Sequence, residues 1–82
     1  MTDIEGKIIG IVAKETRRGS EEISLDLKVE DIESLDLVQI IFAIEDEFQI
    51  YVPQDDEGFK LETLRDVVEG VQSLIAQKQA SA

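Results

Sequence analysis

The apolar positions near the start of the chain recur at helical spacing. They are Ile4, Ile8, Ile11 and Val12. On a helical wheel these four side chains fall within about 100° of one another, which is the pattern of an amphipathic helix. Asp3 is placed to cap its start, and Arg17 and Arg18 followed by Gly19 suit a helix end with a glycine stop. The pattern predicts a first helix that begins at Ile4 and ends before Gly19.

Residues 19–33 form a long connection with alternating apolar and polar positions. The apolar ones are Ile23, Leu25, Leu27 and Val29. Alternation is typical of a strand, but the only candidate partner is the short run 49–52, which ends at Pro53, and an isolated strand pair is marginal in water. We therefore predict a loop whose apolar side chains enter the core. A loop of this length in a small domain is usually functional.

The segment 35–48 predicts a second helix with two apolar stripes. It contains no Gly or Pro, and Ser34 ahead of it is a favoured N-cap residue. With Ser34 at 0° on the wheel, the stripe between about 240° and 340° is wide enough to be the whole core-facing side. That stripe holds Leu37, Ile40, Ile41, Ile44 and Phe48. The other stripe, between about 40° and 100°, holds Leu35, Val38 and Phe42, with Gln39, Glu45 and Asp46 beside it. Either neighbouring elements cover this second stripe, or it is a docking surface for a partner.

The C-terminal part of the chain predicts a last helix. Pro53 and the polar residues 54–58 mark a turn region with a single helical turn before Thr63, and Thr63 with Asp66 resembles a capping box. One apolar face follows, made of Leu64, Val67, Val68, Val71, Leu74 and Ile75. The expected fold is all-α: three main helices plus a short one in a single domain over residues 1–82, with a frayed tail from about residue 77.

Charge and missing residue types narrow the function. The chain has 19 Asp and Glu against 8 Lys and Arg, and residues 21–62 hold fourteen of the acids and two of the bases. Such acidity disfavours nucleic acid and anionic membranes and favours partners with basic surfaces. The chain has no His and no Cys, which removes the commonest general base, thiolate nucleophiles and sulfur-bound metals. No apolar run approaches the length of a membrane span, and no signal-peptide pattern is present, so we expect a cytoplasmic monomer that is not an enzyme.

Ser34 is the residue that this composition leaves for chemistry. As a nucleophile it has no His to act as base and no glycine-framed elbow, so hydrolase chemistry is disfavoured. As a substrate it is well placed, because a hydroxyl at a helix N-terminus can take a phosphodiester near the positive end of the helix dipole. On composition alone, a role as helix cap explains Ser34 better than a chemical one, since Ser is a common N-cap residue.

Four stretches of the chain resemble acyl carrier proteins. Glu33-Ser34-Leu35-Asp36 resembles the Asp-Ser-Leu-Asp motif whose serine carries 4′-phosphopantetheine, and residues 43–48 resemble the family's Ala-Leu-Glu-Glu-Glu-Phe. Residues 50–53 resemble its Ile-Pro turn, and residues 63–68 resemble the start of its final helix. The chain differs in several places. Glu33 replaces the usual Asp, the lead-in 29–33 lacks its usual Gly, and Leu37, Gln39 and Phe42 replace a polar residue, a Glu and a Met.

The resemblance implies a carrier loaded by other enzymes. Ser34 would receive the arm from coenzyme A through a phosphopantetheinyl transferase, and acyl groups would travel as thioesters to fatty-acid or specialised lipid biosynthesis enzymes. Docking to their basic patches would involve Leu35, Asp36, Val38, Gln39, Phe42, Glu45 and Asp46. The helices would shelter the cargo among core side chains. The expected lining is Ile8, Val12, Ile40, Ile44, Phe48, Leu64, Val68 and Val71.

Three alternatives stay open on the sequence. One is an unmodified acidic adaptor that binds a basic partner through helix two, and another is a polyketide or peptidyl carrier, against which Asp36 and the strong acidity argue. The third is a calcium site. The Glu57-Gly58 pair lacks the alternating acids that precede the Gly of an EF-hand loop, so we predict no metal site.

Overall fold

A computed structural model describes residues 3–53 and 61–80 as three α-helices joined around one hydrophobic core. The helices are α1 (Ile4–Thr16), α2 (Ser34–Phe48) and α3 (Leu64–Ala80). Two short 3-10 turns, Ser20–Glu22 and Val29–Asp31, lie between α1 and α2. The predicted all-α fold is confirmed. The short helical turn predicted before Thr63 falls mainly at residues 54–60, which lie outside the described residues.

Helix α1 starts as predicted and ends differently. The Asp3 side chain accepts a hydrogen bond from the Gly6 N–H at 3.0 Å, which supplies the expected cap. The helix stops at Arg17, which has a left-handed backbone (φ 59°), and the Arg18 N–H donates to the Ala13 carbonyl at 2.9 Å. The predicted glycine stop is therefore wrong: Arg17 takes the left-handed position that Gly usually fills, and Gly19 has ordinary extended backbone.

The long connection behaves as a loop, as predicted. Ile23 is buried, and Leu25, Leu27 and Val29 are half-buried against the core. The loop touches the start of α3 through an isolated bridge between Lys28 and Thr63, and the Leu64 N–H donates to the Leu27 carbonyl at 2.8 Å. These backbone bonds hold the loop against α3 without forming a sheet among the described residues.

Helix α3 begins with the predicted capping box. Asp66 Oδ2 accepts from the Thr63 N–H at 3.1 Å, and the Asp66 N–H donates to Thr63 Oγ1 at 3.4 Å. The helix continues through Ala80, so residues 77–80, where we expected fraying, are helical. None of the described helices is both long and apolar enough to cross a membrane.

The core is built almost entirely from aliphatic side chains of the three helices. Its buried members are Ile8, Val12, Ala13, Ile23, Ile40, Ile41, Ile44, Val52, Leu64, Val67, Val68 and Val71. Helix α1 packs against both α2 and α3. Of the eight residues predicted to shelter cargo, Phe48 is half-buried and the others belong to this core. Their packing role is thus established, and shelter of an acyl chain stays a prediction.

Candidate functional site

Ser34 occupies the first turn of α2 and is not its cap. The cap position belongs to Glu33, whose carbonyl accepts from the Leu37 N–H at 2.8 Å and whose side chain makes no capping hydrogen bond. The predicted N-cap role of Ser34 is therefore wrong by one position. The Ser34 side chain is exposed, and within residues 3–53 and 61–80 its hydroxyl has no hydrogen-bond partner. The fold makes no use of this hydroxyl.

The surroundings of Ser34 suit an attached phosphate. Backbone N–H groups in the first turn of a helix have no intrahelical acceptor, and here no side-chain cap occupies them. The partial positive charge at this helix end favours an anion. An exposed hydroxyl beside unoccupied N–H groups fits the phosphodiester of a phosphopantetheine arm.

The second apolar stripe of α2 is open to solvent. Leu35 is 78% exposed, Val38 43% and Phe42 58%. The opposite stripe lies in the core, where Ile40 and Ile44 are fully buried. The alternative that other helices or the loop cover the second stripe is therefore wrong for all three residues. We call Leu35, Val38 and Phe42 the docking stripe.

The two carboxylates predicted beside the docking stripe differ in their surroundings. Asp46 is exposed. Glu45 is half-buried, and its Oε2 accepts from the Val52 N–H at 2.8 Å. This bond fixes the chain after α2, where Val52 enters the core. Glu45 therefore has a structural role that the sequence did not predict.

Asp36 and Gln39 border a cleft next to the docking stripe. Both line an open cleft of about 690 Å³ between the end of α1, the loop and the start of α2. Lys14, Arg17 and Arg18 line it from the end of α1, together with Glu15, and we call these three cations its basic edge. Asp31, Glu33 and Asp36 line it from the loop and the start of α2 and form its acidic edge. In the described ranges, no ion pair joins the two edges. The predicted partner residues thus divide between two adjoining surfaces.

Sequence reasoning missed two features of this region. The basic edge was interpreted only as a helix end, and Tyr51, with its side chain 74% exposed, was not considered as a surface residue. A signal for Tyr51 existed, because Ile50 and Val52 on either side of it pack inward, as alternate residues of an extended segment do. No sequence signal places the end of α1 beside the start of α2.

The carboxylates of the described segments form no cluster of three or more that could hold a metal ion. The lining of the cleft also contains no His or Cys, since the chain has neither. Ser34, which is exposed, lies at this end of α2.

Comparisons with known proteins show what the chain is similar to. Residues 6–71 match the family model described as a phosphopantetheine attachment site. The chain is 44% identical over 69 residues to the acyl carrier protein of Rickettsia bellii (strain OSU 85-389), covering 80% of this chain and 84% of that protein. It is 39% identical over 69 residues to the acyl carrier protein of Rickettsia canadensis (strain McKiel), covering 80% and 79%. It is 40% identical over 68 residues to the acyl carrier protein of Rickettsia massiliae (strain Mtu5), covering 79% of this chain and 78% of that protein.

Proposed function

This chain belongs to the acyl carrier protein family, and we propose that Ser34 is the residue to which its phosphopantetheine arm is attached. The chain carries acyl groups on a covalent 4′-phosphopantetheine, which supplies the thiol that this Cys-free sequence lacks. One observation supports Ser34 above the other serines. It is exposed and forms no hydrogen bond with any described residue through its hydroxyl, and it lies at the start of the helix that presents the docking stripe.

Loading of Ser34 is a phosphoryl transfer performed by a partner enzyme. The Ser34 Oγ forms a bond to the phosphorus next to the pantetheine of coenzyme A, and the bond from that phosphorus to the remaining nucleotide breaks. Adenosine 3′,5′-bisphosphate leaves, and the hydroxyl proton passes to a base on the transferase. We propose that this chain contributes the nucleophilic oxygen and the docking surface, and that catalysis resides in the partners.

We propose that these partners are a phosphopantetheinyl transferase and acyl-transferring and acyl-elongating enzymes with basic docking patches. Apolar contact with the docking stripe supplies affinity, and charge on Asp46, Glu45 and Asp36 speeds encounter. We place the carrier in the cytoplasm, acting as a monomer, and the lack of Cys does not contradict this location. The bulky Phe42 favours a specialised lipid pathway over a housekeeping one.

The test is the intact mass of the purified chain before and after incubation with coenzyme A, Mg²⁺ and a broad-specificity phosphopantetheinyl transferase. We expect a gain of one phosphopantetheine, and fragmentation of the modified peptide should place it on Ser34. Attachment at another serine would refute the assignment of Ser34. No gain with several transferases would favour the acidic adaptor instead.

Removing charge beside the docking stripe should weaken partner binding. We expect the pair Glu45→Gln and Asp46→Asn to lower kcat/KM for the transferase about two- to thirtyfold at low salt, since each of two surface ion pairs contributes about 0.2–1 kcal/mol. The effect should fade as salt screens the charges. Steady-state rates across a salt series give the measurement. Gln at position 45 keeps an oxygen that can accept from the Val52 N–H, so the chain after α2 stays anchored.

The control is Glu69→Gln, because Glu69 is an exposed carboxylate on α3, away from the docking stripe. It should change kcat/KM less than the pair on α2 does. Equal losses from the control and the pair would mean that net charge matters and the position on α2 does not.

A further inference from the structure

The basic edge of the cleft is unusual in so acidic a chain. Three other described cations have side-chain partners: Lys7 pairs with Glu47 and Arg65 with Asp26, both at 3.2 Å, and Lys78 donates to the Gln49 carbonyl. Lys28 is a single exposed lysine without an ion pair among the described residues. Lys14, Arg17 and Arg18 are exposed and form no ion pair with any described residue, although four carboxylates line the same cleft. The fold thus holds three cations together without using them in an ion pair.

The backbone at this edge is well defined. Arg17 lies in the left-handed region, and its N–H donates to the Lys14 carbonyl at 3.3 Å. The next N–H, that of Arg18, donates to the Ala13 carbonyl at 2.9 Å. The turn therefore presents the two Arg residues from a fixed position, as an interaction surface requires.

Among the enzymes that act on a carrier, the transferase has the strictest need to approach this cleft. It must bring the phosphorus of coenzyme A within bonding distance of Ser34 Oγ, whereas enzymes that handle the cargo act at the far end of the arm. A specific interface covers about 800 Å² on each partner. That is roughly one seventh of this chain's 5647 Å² surface. A patch of that size around Ser34 takes in Glu33 beside it and the cleft that Glu33 lines.

We propose that Lys14, Arg17 and Arg18 contact carboxylates on the phosphopantetheinyl transferase. The inference rests on the proposed function, because it needs Ser34 to be the loaded residue. The transferase then meets a surface with two signs of charge: acids along α2 that require basic groups, and the basic edge that requires acidic ones. Two opposite patches side by side fix the orientation of docking, since a rotated complex would place like charges together.

The test compares two charge reversals that change net charge equally. Arg18→Glu alters the basic edge, and Lys28→Glu alters an exposed lysine that lines a different pocket, beside Thr63. General attraction to a basic enzyme would make both variants bind as well as the wild type or better. We expect instead that Arg18→Glu raises the KM of the transferase for the unloaded chain at least about threefold, while Lys28→Glu leaves it unchanged or lower. Arg18→Gln should fall between the wild type and Arg18→Glu.

Circular dichroism and thermal unfolding should show that both variants keep the wild-type fold, since the Arg18 backbone bond does not involve its side chain. Equal KM values for Arg18→Glu and Lys28→Glu would overturn the proposal. A difference that disappears when dephospho-coenzyme A is the donor would also overturn it, because the cations would then meet the 3′-phosphate of the donor. Failure of the wild-type chain to be loaded at all would instead refute the proposed function.

Discussion

Ser34→Ala should abolish loading with phosphopantetheine and leave the stability of the fold within about 0.5 kcal/mol of the wild type. Loading is lost because the attacking oxygen is absent. Stability is kept because the hydroxyl is exposed, makes no hydrogen bond in the described part of the chain, and does not cap α2. Intact mass after incubation with the transferase measures the first effect, and urea unfolding measures the second.

Ser73→Ala is the matched control, since Ser73 is an exposed serine on α3. It should be loaded as fully as the wild type. Residual loading of Ser34→Ala would show that another hydroxyl is accepted. A loss of more than about 1 kcal/mol in Ser34→Ala would contradict the finding that Ser34 has no capping role.

Ile44→Ala should produce a large loss of stability. Ile44 has no exposed surface, and truncating a buried Ile to Ala typically costs about 2–5 kcal/mol through lost burial and the cavity left behind. A chain of this size has a total stability of about 4–12 kcal/mol. We therefore expect the melting temperature to fall by at least about 10 °C, measured by circular dichroism.

Leu35→Ala provides the comparison on the same helix. It removes a side chain of similar size from a position that is 78% exposed, so its cost should stay below about 0.5 kcal/mol. Similar losses for Leu35→Ala and Ile44→Ala would mean that the docking stripe is covered in solution. Weaker transferase binding by Leu35→Ala at unchanged stability would support its role in docking.

The helices were predictable from sequence because their apolar residues recur with the period of a helix facing one core. The three core-facing patterns along α1, α2 and α3 needed no knowledge of their neighbours. The loop was predictable for a related reason: its alternating residues had no second strand to pair with among the described residues, so they joined the core singly. The spacing of apolar residues along the chain was thus enough to predict the main architecture.

The ends of the helices were less predictable. Residue preferences favoured Ser34 as the N-cap of α2 and Gly19 as the end of α1. In the structure, Glu33 is the N-cap and Arg17 takes the left-handed position that ends α1. A helix end is set by where the chain must turn to bury side chains, and that depends on the packing of the whole loop. A preference of about 1 kcal/mol for one residue type is too small to override such packing.

At the candidate site, sequence reasoning found the exposed stripe and missed the partner that Glu45 has within the fold. The stripe followed from the helical wheel alone, because the core-facing side was already filled by other residues. The bond from the Val52 N–H to Glu45 joins residues on either side of a turn whose conformation no local rule specifies. The basic edge was missed for the same reason, as it depends on how α1 and α2 are placed together.

The C-terminal end of α2 is secured from two directions, which bears on how quickly the carrier can change partners. The Glu45 carboxylate holds the Val52 amide, and the Lys78 ammonium donates to the Gln49 carbonyl at 2.6 Å. The C-terminal end of α2 is thus preorganised, so binding an enzyme there removes little conformational entropy from the carrier. Each encounter then needs little rearrangement of the carrier here, and the cost of ordering falls on the arm and on the enzyme. A rigid surface of modest affinity suits a protein that must leave each enzyme as readily as it binds the next.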